Sequence, residues 1–166
     1  MKITKIIKKI APLSLVVIVL LCGCASSTLS KQIYDYNNDD VLKKESCSYS
    51  YNEKLGSVGD MDADIHFDFS GNDLLWELSC EDPTSMTCSY DMNIESGDFK
   101  IIAISPSSDI NVLWETGSSD NSGSFDIPLV NGTTMIKIVG KKAVGDLSLH
   151  LEENEDVNVT VKPVNL

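Results

Sequence analysis

Residues 65–80 read Ile-His-Phe-Asp-Phe-Ser-Gly-Asn-Asp-Leu-Leu-Trp-Glu-Leu-Ser-Cys, and this stretch decides the fold class. Apolar and polar residues alternate on both sides of a Ser-Gly-Asn-Asp turn signal. A period of two is typical of a strand that buries one face, whereas an amphipathic helix repeats every ~3.6 residues. The stretch therefore predicts two half-buried strands joined by a turn.

The same alternation recurs downstream, with turn signals between the apolar segments and no helical period. Short strands at this spacing predict an all-β domain, an antiparallel β-sandwich or jelly-roll-like fold. Asn131-Gly132 is typical of a hairpin turn, and Pro128 predicts an edge strand because proline cannot donate to a ladder. The further predicted strands are 88–94, 99–104, 110–116, 125–129, 134–139, 147–151 and 157–161.

The N-terminus has the layout of a secretory signal peptide. Four lysines precede a nearly continuous apolar run from Ile10 to Leu21, with Pro12 near its start. A membrane-spanning helix needs roughly 20 apolar residues, so this run is short for one. The sequence predicts an N-terminal signal helix over residues 1–23, and an uncleaved anchor helix is the alternative.

Leu21-Cys22-Gly23-Cys24 resembles the lipobox of bacterial lipoproteins. The resemblance implies cleavage between Gly23 and Cys24 and a diacylglycerol group on the Cys24 thiol, with palmitate-like chains. Cys22 occupies a position where that family usually has Ala, Ser or Thr. The implied location is the extracytoplasmic face of the cell membrane. Two acyl chains anchor a protein stably, whereas one chain binds only marginally.

The predicted mature chain is strongly acidic. Without the four signal-peptide lysines, nine of the 13 basic residues remain against 25 acidic ones, so the formal charge is −16. Nucleic-acid binding depends on Lys and Arg that neutralise phosphates, and anionic lipid would repel such a domain. The composition therefore excludes nucleic acid as a partner and leaves the lipid as the expected membrane contact.

The mature chain divides into two predicted parts. Residues 24–46 are mostly polar and predict a lipidated cysteine followed by a flexible tether. The alternative is an earlier start of the domain, with Tyr34, Tyr36, Val41 and Leu42 docked on it. Residues 47–166 predict one β-sandwich domain, which is long enough to bury a core of its own.

Three cysteines follow Cys24, so at most one disulfide can form among them. Cys80 and Cys88 end and begin successive predicted strands with their side chains in the inward phase. If those strands form a hairpin, the two residues face each other and can form a disulfide. Pairing of Cys47 with one of them, or three free thiols, are the alternatives. Metal-ligand spacing typical of zinc sites is absent from the sequence.

Asp60, Asp62 and Asp64 place carboxylates at alternate positions, as in the opening of a calcium loop. The glycine and glutamate that complete an EF-hand are missing. The alternative to a calcium site is therefore an acidic strand edge that faces water. Otherwise the sequence predicts no cofactor. The same aspartates are the candidates if the domain is a hydrolase.

The functional expectation is a non-catalytic β-sandwich interaction module, with an unknown protein or glycan as its partner. Sequence motifs for a nucleophilic serine elbow or a phosphate-binding loop are absent. The alternative is a carbohydrate-binding module that uses Trp76 and Trp114 for stacking. Both tryptophans are also in phase with core positions, so their exposure discriminates between the two functions.

Overall fold

A computed structural model describes residues 34–117 and 120–161. The predicted signal helix and lipobox lie outside these ranges. The described chain contains one short helix, α1 (Asp39–Leu42), and seven strands. The strands are β1 (Ser48–Val58), β2 (Asp62–Cys80), β3 (Thr84–Ile104), β4 (Ile110–Glu115), β5 (Ser122–Leu129), β6 (Gly132–Leu151) and β7 (Asn158–Val161).

All strand pairs are antiparallel, which confirms the all-β prediction. The main path through the sheet runs β1-β2-β6-β3-β4, while β5 pairs with β3 and β7 pairs with β2. β6 therefore lies between β2 and β3 along most of its length. β5 pairs only with β3 among the described strands, so Pro128 lies on an edge strand as predicted.

The three central strands are each about twice as long as predicted. The turn signals at 70–73, 95–98 and 140–145 lie inside continuous strands β2, β3 and β6. Register shifts mark two of them, between Phe69 and Gly71 and between Ile94 and Asp98. The three segments are neighbours in the sheet, since Gly71 pairs with Gly140 and Gly140 pairs with Phe99. Together they form a bend that crosses the sheet.

Connectivity shows how sharp this bend is. Cys80 pairs with Gly132 at one end of β6, and Cys88 pairs with Leu151 at the other end. A straight strand of that length would separate its ends by about 60 Å, at ~3.3 Å per residue. The eight Cα–Cα steps from Cys80 to Cys88 span at most about 29 Å. β6 must therefore fold back on itself, and the two halves of the sheet form two facing layers.

We call the half containing residues 62–70 of β2 layer one, and the half containing residues 72–80 layer two. Phe67 in layer one stacks on Phe99 in layer two, with ring centroids 4.9 Å apart. The core between the layers is apolar and includes Trp76 and Trp114. Asn131-Gly132 connects β5 in layer one to β6 in layer two, so the predicted hairpin does not form there.

Residues 34–46, which we call the strap, pack against the outer face of layer two. Tyr36 and Leu42 are buried there with Ile102, Ile104 and Val139. The sequence predicted these residues as part of a flexible tether over 24–46. That prediction is wrong for 34–46, because two apolar side chains in a polar segment are enough to dock it on the sheet. Residues 24–33 lie outside the described ranges.

Candidate functional site

The outer face of layer one is open and rich in carboxylates. Asp62, Asp64, His66 and Asp68 alternate along β2 with the buried residues Ala63, Ile65 and Phe67. The opposite strand β6 contributes Asp146, Ser148 and His150 to the same face, and β3 contributes Asp91. We call this surface the acidic face. It exists because the period of two sends every second side chain outward.

Two cross-strand pairs organise the acidic face. His66 Nδ1 lies 2.8 Å from Asp146 Oδ1, and His150 Nδ1 lies 2.6 Å from Asp62 Oδ1. Each pair is directly opposed in the β2–β6 ladder, and the Asp64–Ser148 pair lies between them. The hydrogen bond to Asp146 raises the pKa of His66 above its ordinary value. Protonation of the His66 imidazole therefore changes the charge of the face.

The calcium candidates Asp60, Asp62 and Asp64 do not converge. Asp62 is paired with His150, and Asp64 lies opposite Ser148. Asp60 lies in the β1–β2 loop and lines a cleft of about 340 Å³ with Met61 and Met86. Among the described residues, no three His, Cys, Asp or Glu side chains form a group that could hold a metal ion.

The strap covers a sheet face that contains two lysines. Lys137 is fully buried, and its Nζ donates to the carbonyl oxygen of Leu42 at 3.1 Å and to that of Lys44. The Lys100 ammonium lies over the Tyr36 ring, 4.5 Å from its centroid. Burial lowers the pKa of Lys137, while nearby Cys47, Asp73 and Glu45 oppose that shift. Both lysines therefore contact the strap, Lys137 through backbone carbonyl oxygens and Lys100 through the Tyr36 ring.

Asp73 is the centre of a partly buried polar cluster next to the strap. Its Oδ2 accepts a hydrogen bond from Tyr51 Oη at 2.8 Å and a second from Lys54 Nζ at 3.3 Å. Its Oδ1 accepts from the backbone N–H of Leu74. Burial is the main cause that raises the pKa of Tyr51, followed by the Asp73 charge. Burial also raises the pKa of the Cys47 thiol.

The three described cysteines are free thiols. The predicted Cys80–Cys88 disulfide is therefore wrong. Its physical basis was a β2–β3 hairpin, but β6 lies between these two strands and pairs with both. Both thiols are buried in the core, where the Cys80 thiol contacts the Val130 carbonyl oxygen at 3.2 Å. Burial raises the pKa of Cys88 to about 12.

Both tryptophans are core residues. Trp76 is fully buried and donates from Nε1 to the Gly59 carbonyl oxygen at 2.8 Å. Trp114 is 3% exposed and donates to the Asp120 carbonyl oxygen at 2.9 Å. Neither side chain offers a ring face for stacking on a sugar, which counts against the carbohydrate-binding alternative.

The loops at the end of the layers away from the bend form a second acidic region. A cleft of about 570 Å³ is lined by Glu81, Glu155 and Asp156 beside Cys80 and Gly132. A neighbouring cleft of about 370 Å³ shares the same three carboxylates. The side-chain amide of Asn131 donates a hydrogen bond to the carbonyl oxygen of Glu81, one of the residues that line both clefts.

The buried lysines and Asp73 were not among the residues predicted from the sequence. A signal for the lysines was present, because Ile136-Lys137-Ile138 and Phe99-Lys100-Ile101 each place a lysine between apolar residues inside a predicted strand. A lysine in such a strand needs a partner that covers it. Gly23 and Cys24, the predicted cleavage and lipidation residues, lie outside the described ranges. The part of the chain that the structure describes has no helix long and apolar enough to cross a membrane.

Comparison with known proteins finds no family model that matches the chain and no similar protein among the curated ones. The structure defines the class of the described chain as a two-layer antiparallel all-β domain.

Proposed function

We propose that the chain is an extracytoplasmic lipoprotein, held at the cell membrane by diacylglycerol on Cys24, whose β domain is a non-catalytic interaction module. The lipobox-like Leu21-Cys22-Gly23-Cys24 supports the anchor. The acidic face supports the interaction role and is the observation that carries it.

Three properties suit the acidic face to binding. Its side chains stand on central strands rather than on loops, so their spacing is held by the ladder. Its two His–Asp pairs are in register across β2 and β6. It is also on the opposite side of the domain from the strap, which covers the outer face of layer two. A protein or glycan that carries amino groups or other cations is the complementary partner.

The anchor is tested by mass spectrometry of the membrane fraction, with two matched variants. We expect an acylated N-terminal Cys24 in the wild type and in Cys22→Ser, because only the second cysteine occupies the lipidated position. Cys24→Ser should lose the acyl mass and keep its signal segment. Wild-type protein with an unmodified Cys24 and an intact signal segment would contradict the proposal.

The binding role is tested in native membranes with a reagent that couples carboxylates to lysine amines. We expect intermolecular cross-linked products from the wild type. Their yield should fall at least about tenfold in the double variant Asp64→Asn with Asp91→Asn. Asp109→Asn, in the β3–β4 loop, is the control and should leave them unchanged. Equal product yields in all three proteins would exclude the acidic face as the binding surface.

A further inference from the structure

The strap is attached to the sheet by few apolar contacts. Tyr36 and Leu42 are its buried hydrophobic residues, and α1 is a single turn without a side-chain N-cap. An isolated turn of this length is not stable in water on its own. The helical conformation of the strap therefore depends on its contact with layer two.

The contact also buries polar groups without satisfying all of them. Asp35 is 2% exposed and its Oδ2 has no hydrogen-bond partner among the described residues. Asn72 is fully buried, and both polar atoms of its side chain lack such a partner as well. Asn72 pairs with Val139, which packs under the strap, so both residues lie on the covered face. Among the described residues, the strap contact therefore leaves these polar atoms without a hydrogen bond.

A specific contact holds the closed position. The Lys137 ammonium donates to the carbonyl oxygens of Leu42 and Lys44, at the C-terminal end of α1. Neither carbonyl has a partner within α1, so the ammonium satisfies acceptors that this single turn leaves free. Tyr36 adds a second contact, from its hydroxyl to Glu115 Oε1 at 3.3 Å. The polar contacts between the strap and the sheet are therefore few, and they involve mainly Lys137 and Tyr36.

We propose that the strap can detach from layer two, and that this detachment sets how far the domain extends from its membrane anchor. This inference rests on the proposed lipidation of Cys24. With the strap docked, Tyr34 follows Cys24 by ten Cα–Cα steps, a span of at most about 36 Å. With the strap released, Cys47 follows Cys24 by 23 Cα–Cα steps, a span of at most about 83 Å. Opening also exposes Lys100 and Lys137 to solvent.

Amide hydrogen exchange of the full-length protein tests the release directly. We expect the hydrogen-bonded amides of Val41, Leu42 and Lys43 to exchange at least about a hundredfold faster than those in the centres of β2 and β6, because strap opening does not require global unfolding. Leu42→Ala should speed exchange of the strap at least about tenfold further and leave the β6 amides unchanged. Tyr34→Ala is the control, since this side chain is 73% exposed and should change neither rate.

Lys137→Met gives an independent variant, because it removes the contact to the strap carbonyls without touching the strap itself. It should also accelerate strap exchange. Strap amides that exchange at the same rate as β6 in the wild type, or variants that accelerate strap and β6 equally, would show that the strap is an integral part of the fold and overturn the proposal.

Neutron reflectivity of the lipidated protein on a supported bilayer measures the distance between the domain and the bilayer. Leu42→Ala should place the domain farther from the bilayer than wild type and Tyr34→Ala, and equal distances would overturn the role in reach. If no protein layer forms and Cys24 carries no lipid, the proposed anchor fails, and exchange still decides whether the strap opens.

Discussion

The ring of Phe69 on β2 lies directly against Gly140 on β6. A Cβ atom at Gly140 would overlap Cδ1 of that ring. The contact is at the bend, where Gly71 and Gly140 pair across the two strands. Close approach of ring and backbone therefore depends on a residue without a side chain.

Gly140→Ala should destabilise the domain by about 1–3 kcal/mol, because the added methyl group must displace a buried ring. Gly59→Ala is the matched control, since the nearest atom to a Cβ there is the Asp62 carbonyl oxygen at 3.7 Å. Urea unfolding of both variants measures the difference. A Gly140→Ala protein as stable as the control would show that the bend adjusts freely.

Lys137 should make the stability of the domain depend on alkaline pH. Burial lowers its pKa below the ordinary 10.5, so between the lowered pKa and 10.5 the unfolded chain binds more protons than the folded one. The contribution of this group to the free energy of unfolding therefore rises with pH across that window. Lys137→Met should lack this rise.

The measurement is the difference in unfolding free energy between wild type and Lys137→Met at several pH values. Tyr36, Tyr51 and Cys88 have raised pKa values and act in the opposite direction, but they are present in both proteins. Both proteins should also carry Cys47→Ser, because Cys47 interacts electrostatically with Lys137. A difference that stays constant with pH would contradict the prediction.

Asp146→Asn should lower the pKa of His66 toward its ordinary 6.5, because the hydrogen bond to Asp146 is the main cause of the raised value. In the wild type, the His66–Asp146 pair contributes to the free energy of unfolding below pH 6.5. This contribution is lost as pH rises through the raised pKa of His66 in the folded protein. NMR titration of the His66 ring protons measures the shift. Asp126→Asn, which changes a carboxylate bonded to Thr87 instead, is the control; an equal shift in both variants would assign the effect to net charge.

Alkylation of the native protein should label Cys47 before Cys80 and Cys88. Cys47 is partly exposed, whereas the other two thiols are buried, and the pKa of Cys88 is raised to about 12. The thiolate is the reactive form, so both burial and the raised pKa protect Cys88. Peptide mapping without reducing agent gives the order. A peptide that joins Cys80 to Cys88 would contradict the free-thiol assignment.

Local alternation predicted most of the strands, because a period of two depends only on one face being buried. It placed β4 within one residue and found both halves of β2, β3 and β6. It missed β1, where Glu53, Leu55 and Ser57 are exposed and a register shift after Tyr51 interrupts the pattern. An edge strand with a weakly buried face carries little periodic signal.

The bend could not be predicted from the same pattern. Ser70-Gly71-Asn72-Asp73 is a typical turn signal, yet β2 continues through it. The reason is that β1 pairs along one edge of β2 as far as Asn72, while β6 pairs along the other edge. Such partners are distant in sequence, and the local residues do not specify them. The candidate disulfide failed for this reason, and the docking of the strap depends equally on distant residues, notably Val139 and Lys137.

The position of β6 has a consequence for when the domain can form. β2 and β3 both complete their ladders on β6, which begins only at Gly132. A chain that emerges N-terminus first therefore cannot close either layer until most of its length has been delivered. Until then β2 and β3 lack the neighbour that both strands share. The order of strands in the sheet thus makes the folding of both layers wait for β6, a late segment of the chain.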